Sequence, residues 1–155
     1  MKMEKESESF YRELEAKTTN PGLKTILLLL ADEEVKHFQA LERMKAQESN
    51  VQITTADVMA EARATFKIMA NEPAMHKFEK NEVDFYRKAA STEDIAATFY
   101  AEKAAETTDP AIKALLEHLA DEERKHQALL EGIADFVTRP FTWLEDSEWN
   151  HLEDY

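Results

Sequence analysis

The chain has 155 residues, a length that suits one domain with a sizeable core. Its net charge of −13 argues against electrostatic attraction to nucleic acid or anionic lipid, and the absence of cysteine excludes disulfides, thiolate metal sites and iron–sulfur clusters. Two glycines and four prolines, set against abundant Glu, Lys, Ala and Leu, favour helices over strands.

The opening Met-Lys-Met-Glu-Lys-Glu has no apolar stretch of the signal-peptide kind, and the apolar run at 26–30 is too short to span a bilayer. A cytoplasmic protein with no membrane partner is expected. A first helix runs from near the start to about residue 18. Thr-Thr-Asn-Pro-Gly at 18–22 then breaks the pattern, with Asn20 as N-cap and Pro21 at the first helical position, and a second helix runs to about residue 49.

Residues 50–79 form a crossover carrying an extra helix, opened by Thr54 or Thr55 and ending near residue 70. So long a connection exceeds what neighbouring bundle helices need, and it makes the second and third bundle helices parallel. A further helix spans about 80–107. Thr-Thr-Asp-Pro-Ala at 107–111 breaks it, with Asp109 as cap, and a last helix runs from 110 to about 138. The tail, 139–155, is aromatic and acidic, and its aromatics are expected to pack on the bundle or on a second subunit.

The second hairpin repeats the first. Residues 10–37 align without gaps on 99–126, keeping Phe-Tyr, Thr-Thr, Pro and Ala-Asp-Glu-Glu in register. The architecture read from this is an all-α four-helix bundle over 1–138, built from two tandem hairpins, 1–49 and 80–138, joined by the crossover.

Both copies carry the same chemistry. Leu-Ala-Asp-Glu-Glu-Val-Lys-His at 30–37 places Glu34 three residues before His37, and Leu-Ala-Asp-Glu-Glu-Arg-Lys-His at 119–126 does the same for Glu123 and His126. Each pair shares a helix face and interrupts an apolar seam: Leu23, Leu27, Leu30 and Leu41 in one copy, Ile112, Leu116, Leu119 and Leu130 in the other. Buried carboxylates are costly unless paired or bound to metal. Glu4 stands seven residues before Tyr11, and Glu93 seven before Tyr100, so each couple lies on one stripe. Glu4 and His37 are nearly equidistant from Pro21, as Glu93 and His126 are from Pro110. The hairpins therefore bring Glu4, Glu34, His37, Glu93, Glu123 and His126 to one level.

Four carboxylates and two imidazoles suit two divalent ions, best iron or manganese, with zinc also acceptable to the donor set. Glu8 is the alternative to Glu4. Tyr11 and Tyr100 either serve this site or are core aromatics. Asp32, Glu33, Asp121 and Glu122 repeat as well but lie off the seam and read as solvated or interface charges. His76, His118 and His151 read as surface or packing residues.

On Glu4-x6-Tyr11, Glu34-x-x-His37, Glu93-x6-Tyr100 and Glu123-x-x-His126, the chain resembles the ferritin-like superfamily of diiron-carboxylate proteins, and within it the rubrerythrin-like branch. The resemblance implies a ferritin-like bundle holding two iron ions. Glu34 and Glu123 would bridge them, Glu4, Glu93, His37 and His126 would be terminal ligands, and Tyr11 and Tyr100 would hydrogen-bond to the carboxylates. It implies reduction of hydrogen peroxide or dioxygen, in a homodimer. Rubrerythrins with a rubredoxin-type site use four cysteines that this chain lacks, so an external electron donor is expected. Their additional third-helix carboxylate is absent too: Ala90 and Ala96 flank Glu93 at that spacing, which resembles a bacterioferritin-type centre. The other functions considered are ferroxidase-type iron handling and a structural metal-binding bundle acting through its tail.

Overall fold

The computed structural model describes residues 1–54, 57–75, 77–79 and 81–138. The expectations for the 139–155 tail, His76, His151 and Thr55 fall outside these residues. The helices are α1 (Lys2–Lys17), α2 (Pro21–Lys45), α3 (Val58–Asn71), α4 (Glu82–Glu106) and α5 (Pro110–Thr138), with a single 3₁₀ turn at Pro73–Met75. No strand occurs among the described residues. The chain is all-α with a ferritin-like arrangement of helices.

The repeated breakers act as the sequence implies. The Asn20 side chain accepts from the amides of Gly22 and Leu23 at 3.0 and 3.1 Å, and Asp109 accepts from Ala111 and Ile112 at 2.8 and 3.2 Å. Each cap satisfies two amides that the first helical turn leaves without partners.

Two boundaries differ from expectation. Helix α2 stops at Lys45 rather than near 49, because Gln47 takes a left-handed conformation (φ 58°) and the Glu48 amide turns back to the Arg43 carbonyl at 3.1 Å. Helix α3 starts at Val58, capped by Asp57, whose carboxylate accepts from the Ala60 amide at 2.9 Å. Thr54 lies upstream of it in irregular structure.

Helix α1 packs on α2 and α4 on α5. One apolar cluster gathers Leu23 and Leu27 from the start of α2, Tyr86 and Ala89 from the start of α4, and Ile133 and Phe136 from the end of α5. A second gathers Ala40 and Leu41 from the end of α2, Tyr100 and Ala104 from the end of α4, and Leu115 and Leu116 from the start of α5. Helices α2 and α4 therefore run parallel, as the long crossover requires.

Helix α3 covers only the first cluster, adding Val58, Met59, Ala62, Phe66 and Met69. It lies so close to the start of α2 that a Cβ on Gly22 would meet the Met69 side chain, with Cγ at 2.7 Å. The two apolar clusters leave a layer between them, and that layer is polar.

Candidate metal centre

Glu34 and His37 sit between Leu30 and Leu41 on α2, Glu123 and His126 between Leu119 and Leu130 on α5, and Glu93 between Ala90 and Ala96 on α4. All five polar residues are at most 1% exposed. Burial follows from helix geometry: each occupies a seam position whose neighbours one turn before and after are core residues.

The two Glu-His pairs interlock across the repeat. His37 Nδ1 lies 3.1 Å from Glu123 Oε1 and 3.9 Å from Glu34 Oε2. His126 Nδ1 lies 3.2 Å from Glu34 Oε1 and 3.2 Å from Glu123 Oε2. The imidazoles stack, with centroids 5.6 Å apart and planes at 15°. Both Nε2 atoms are buried without a hydrogen-bond partner.

Glu93 and Glu4 complete the layer differently. The Tyr11 hydroxyl donates to Glu93 Oε1, and Glu93 Oε2 is buried with no partner. Tyr11 thus serves the site from the opposite hairpin. Its counterpart Tyr100 is equally buried, but its hydroxyl has no partner. Glu4, also 1% exposed, forms an ion pair with the Met1 amino group. Glu8 points its carboxylate to Arg12 at 2.9 Å.

The electrostatics follow from crowding charge in a dry layer. Burial, then the charges of Glu34 and Glu123, hold Glu93 well above the usual carboxylate range. Burial and the Glu123 charge push Glu34 up to about 7. Burial would raise Glu123 too, but the His37 charge and hydrogen bond, with the His126 imidazole close by, outweigh it and hold Glu123 down. Burial would lower the imidazoles, yet the carboxylates prevail and raise both. Tyr11 is kept well above its ordinary value by burial and by Glu93 and Glu34, so it remains a phenol and a donor.

These groups fit a metal. Ligand atoms of Glu34, Glu93, Glu123 and His126 all lie within 4.8 Å of one another. Three of these carboxylates have a buried oxygen without a hydrogen bond. Oxygen and imidazole donors, with no thiolate, suit iron or manganese. Glu4 is outside this set; His37 reaches it through its approach to Glu34 and Glu123.

Of the two readings offered for Glu33 and Glu122, solvated or interface charges, burial removes the first. They are 1% and 5% exposed, and their ligand atoms lie within 4.8 Å of one another and of His37. Each is paired with a lysine one turn on: Lys36 to Glu33 at 2.6 Å and Lys125 to Glu122 at 2.8 Å. The interface between α2 and α5 is wide enough to bury the position beside the seam. A signal was present, since Glu-x-x-Lys recurs in register in both copies. Asp32 and Asp121 are the exposed members, paired with Arg12 and Arg124. His118 is half-buried at the second apolar end.

A family model described as Rubrerythrin matches residues 1–134. No curated protein and no solved structure matches the chain.

Proposed function

Because the chain belongs to the rubrerythrin family, a ferritin-like diiron family, we propose that it is a diiron oxidoreductase that reduces hydrogen peroxide or dioxygen with electrons from an external donor. The observation that carries this reading is the convergence of four buried ligand atoms from Glu34, Glu93, Glu123 and His126, with the Tyr11 phenol on Glu93. Glu34, Glu123, Glu93 and Glu4, with His37 and His126 through Nδ1, would hold the two irons. Two ferrous ions side by side would supply both electrons needed to cleave an O–O bond.

The chain's own groups set the conditions for that chemistry. The apolar clusters on either side exclude water from the layer. Tyr11 occupies one Glu93 oxygen and leaves the other available. Held protonated by burial and by the Glu93 and Glu34 charges, the phenol keeps its hydrogen bond on Glu93 and fixes the direction in which that carboxylate points. Glu33 and Glu122, beside His37, would help to orient that imidazole, the usual role of a carboxylate behind a metal-bound histidine.

Turnover with a chemical reductant tests the reading: the iron-loaded protein should consume peroxide or dioxygen over many cycles, and Glu93→Ala should lower the rate on the order of 100-fold. A single oxidation of bound iron without further cycles would favour ferroxidase-type iron handling.

A further inference from the structure

A cleft of about 280 Å³ opens between α1 and α4 and reaches the polar layer at Tyr11 and Glu93. Its walls are apolar in character. Phe10 stands on the α1 side and Ala89 on the α4 side, and Thr92 beside it has its hydroxyl committed to the Lys88 carbonyl at 3.1 Å. The rim is charged: Glu6 and Lys88 are exposed, and the Lys88 ammonium reaches across to 5.6 Å from the Phe10 ring centroid. The cleft has a charged mouth and an apolar wall, and it ends against the side chains of Tyr11 and Glu93, both buried and hydrogen-bonded to each other.

Its size decides what it fits. Hydrogen peroxide occupies about the volume of two waters, roughly 60 Å³ at 30 Å³ each. The cleft is several times larger and opens to solvent at its mouth, which leaves room for a small alkyl group along its apolar wall. The repeat gives a reason for access at this end. The residue equivalent to Thr92 in the other copy is Met3, which together with Met1 packs against the cluster around Tyr100. Small side chains border Glu93 where flexible large ones border Glu4.

We propose that this cleft binds small alkyl hydroperoxides, with the alkyl group against Phe10, Ala89 and Thr92 and the hydroperoxy group at the Tyr11–Glu93 floor. This rests on the diiron reading for turnover, but the binding itself does not require metal. The reaction is ROOH + 2 e⁻ + 2 H⁺ → ROH + H₂O: the O–O bond breaks, the hydroperoxide is reduced, and an external reductant supplies the electrons by way of the ferrous pair.

The test has two arms. In the first, protein stripped of metal with a chelator is titrated with tert-butyl hydroperoxide while backbone amide resonances are followed. Saturable shifts at Ser7, Ala89 and Thr92 are expected, and their loss in Thr92→Trp, whose indole would fill the cleft. In the second, iron-loaded wild type and Thr92→Trp are compared with tert-butyl hydroperoxide and hydrogen peroxide; the ratio of the two kcat/KM values should fall at least tenfold in the variant. Absence of shifts at those residues in wild type would overturn the proposal, as would an unchanged ratio. Should iron-loaded protein turn over neither oxidant while the shifts appear, the diiron reading fails and the binding site stands.

Discussion

Glu4 and Glu93 occupy the same place in two copies of one hairpin, yet they end in different company. Glu93 receives the Tyr11 phenol and joins the four converging ligand atoms; Glu4 is paired with the Met1 amino group, and the Tyr100 hydroxyl is left buried without a partner. The same divergence runs through the packing. Gly22 lies buried against Met69 of α3, whereas Ala111, at the equivalent position, is exposed. Duplication supplied two sets of ligands. Helix α3, added on one side, and the divergent start of α1 on the other made the two ends unequal.

That inequality can be broken or sharpened by paired substitutions. The largest difference should appear in metal affinity: Glu93→Ala is expected to weaken Fe(II) or Mn(II) binding on the order of 100-fold, and Glu4→Ala by roughly 10-fold, by anaerobic titration. Equal losses would mean that Glu4 exchanges the amino group for metal at little cost.

Next comes the helix contact. Gly22→Ala places a methyl against Met69 and should destabilise by about 1–3 kcal/mol in denaturant unfolding. Ala111→Gly, on an exposed helix start, should cost below about 1 kcal/mol. If the two were equivalent, α3 would not be packed on α2 as described.

The tyrosines should differ in sign. Tyr11→Phe leaves a buried Glu93 oxygen without its donor and should destabilise the protein by about 1–2 kcal/mol, whereas Tyr100→Phe removes an orphaned hydroxyl and should be neutral or stabilising by up to about 1 kcal/mol. Thermal melts of both variants without metal would measure this.

A last comparison sets metal-free against metal-loaded protein across pH. The folded state raises Glu34 from 4.5 to about 7, so folding is increasingly penalised as pH climbs through that window. Both imidazoles are also raised, so the stability they lend at low pH is lost as pH rises through their folded values. Glu123, held down, opposes this only at acidic pH. Melting temperature should therefore fall as pH climbs from 4.5 to about 7, and go on falling as the imidazoles lose their protons above 6.5. Metal requires ionised carboxylates and neutral imidazoles, so added Mn(II) should stabilise more at the higher pH and reverse the slope. A slope unchanged by metal would separate these groups from the binding site.

Much of this was legible in the chain. The gapless repeat gave the paired hairpins, Asn20 and Asp109 gave the caps, and the i, i+3 Glu-His pairs on an apolar seam gave the polar layer. Periodicity could not reveal Glu33 and Glu122, because a stripe marks the centre of a buried face and not its width. Nor could it reveal which oxygen Tyr11 would reach, since the partner lies on the other hairpin. The fit of Met69 against Gly22 is likewise a tertiary contact, written in no local pattern. The end of α2 turned on the backbone of Gln47, a residue type without strong preference for the left-handed region.

The most direct measurement is the number of Fe(II) ions bound per chain under anaerobic conditions, in wild type and in Glu34→Ala combined with Glu123→Ala. Two ions are expected in wild type, with Glu4 giving up the amino group to the second, and no tight binding in the double variant. One ion or none in wild type, or identical binding by the double variant, would contradict it.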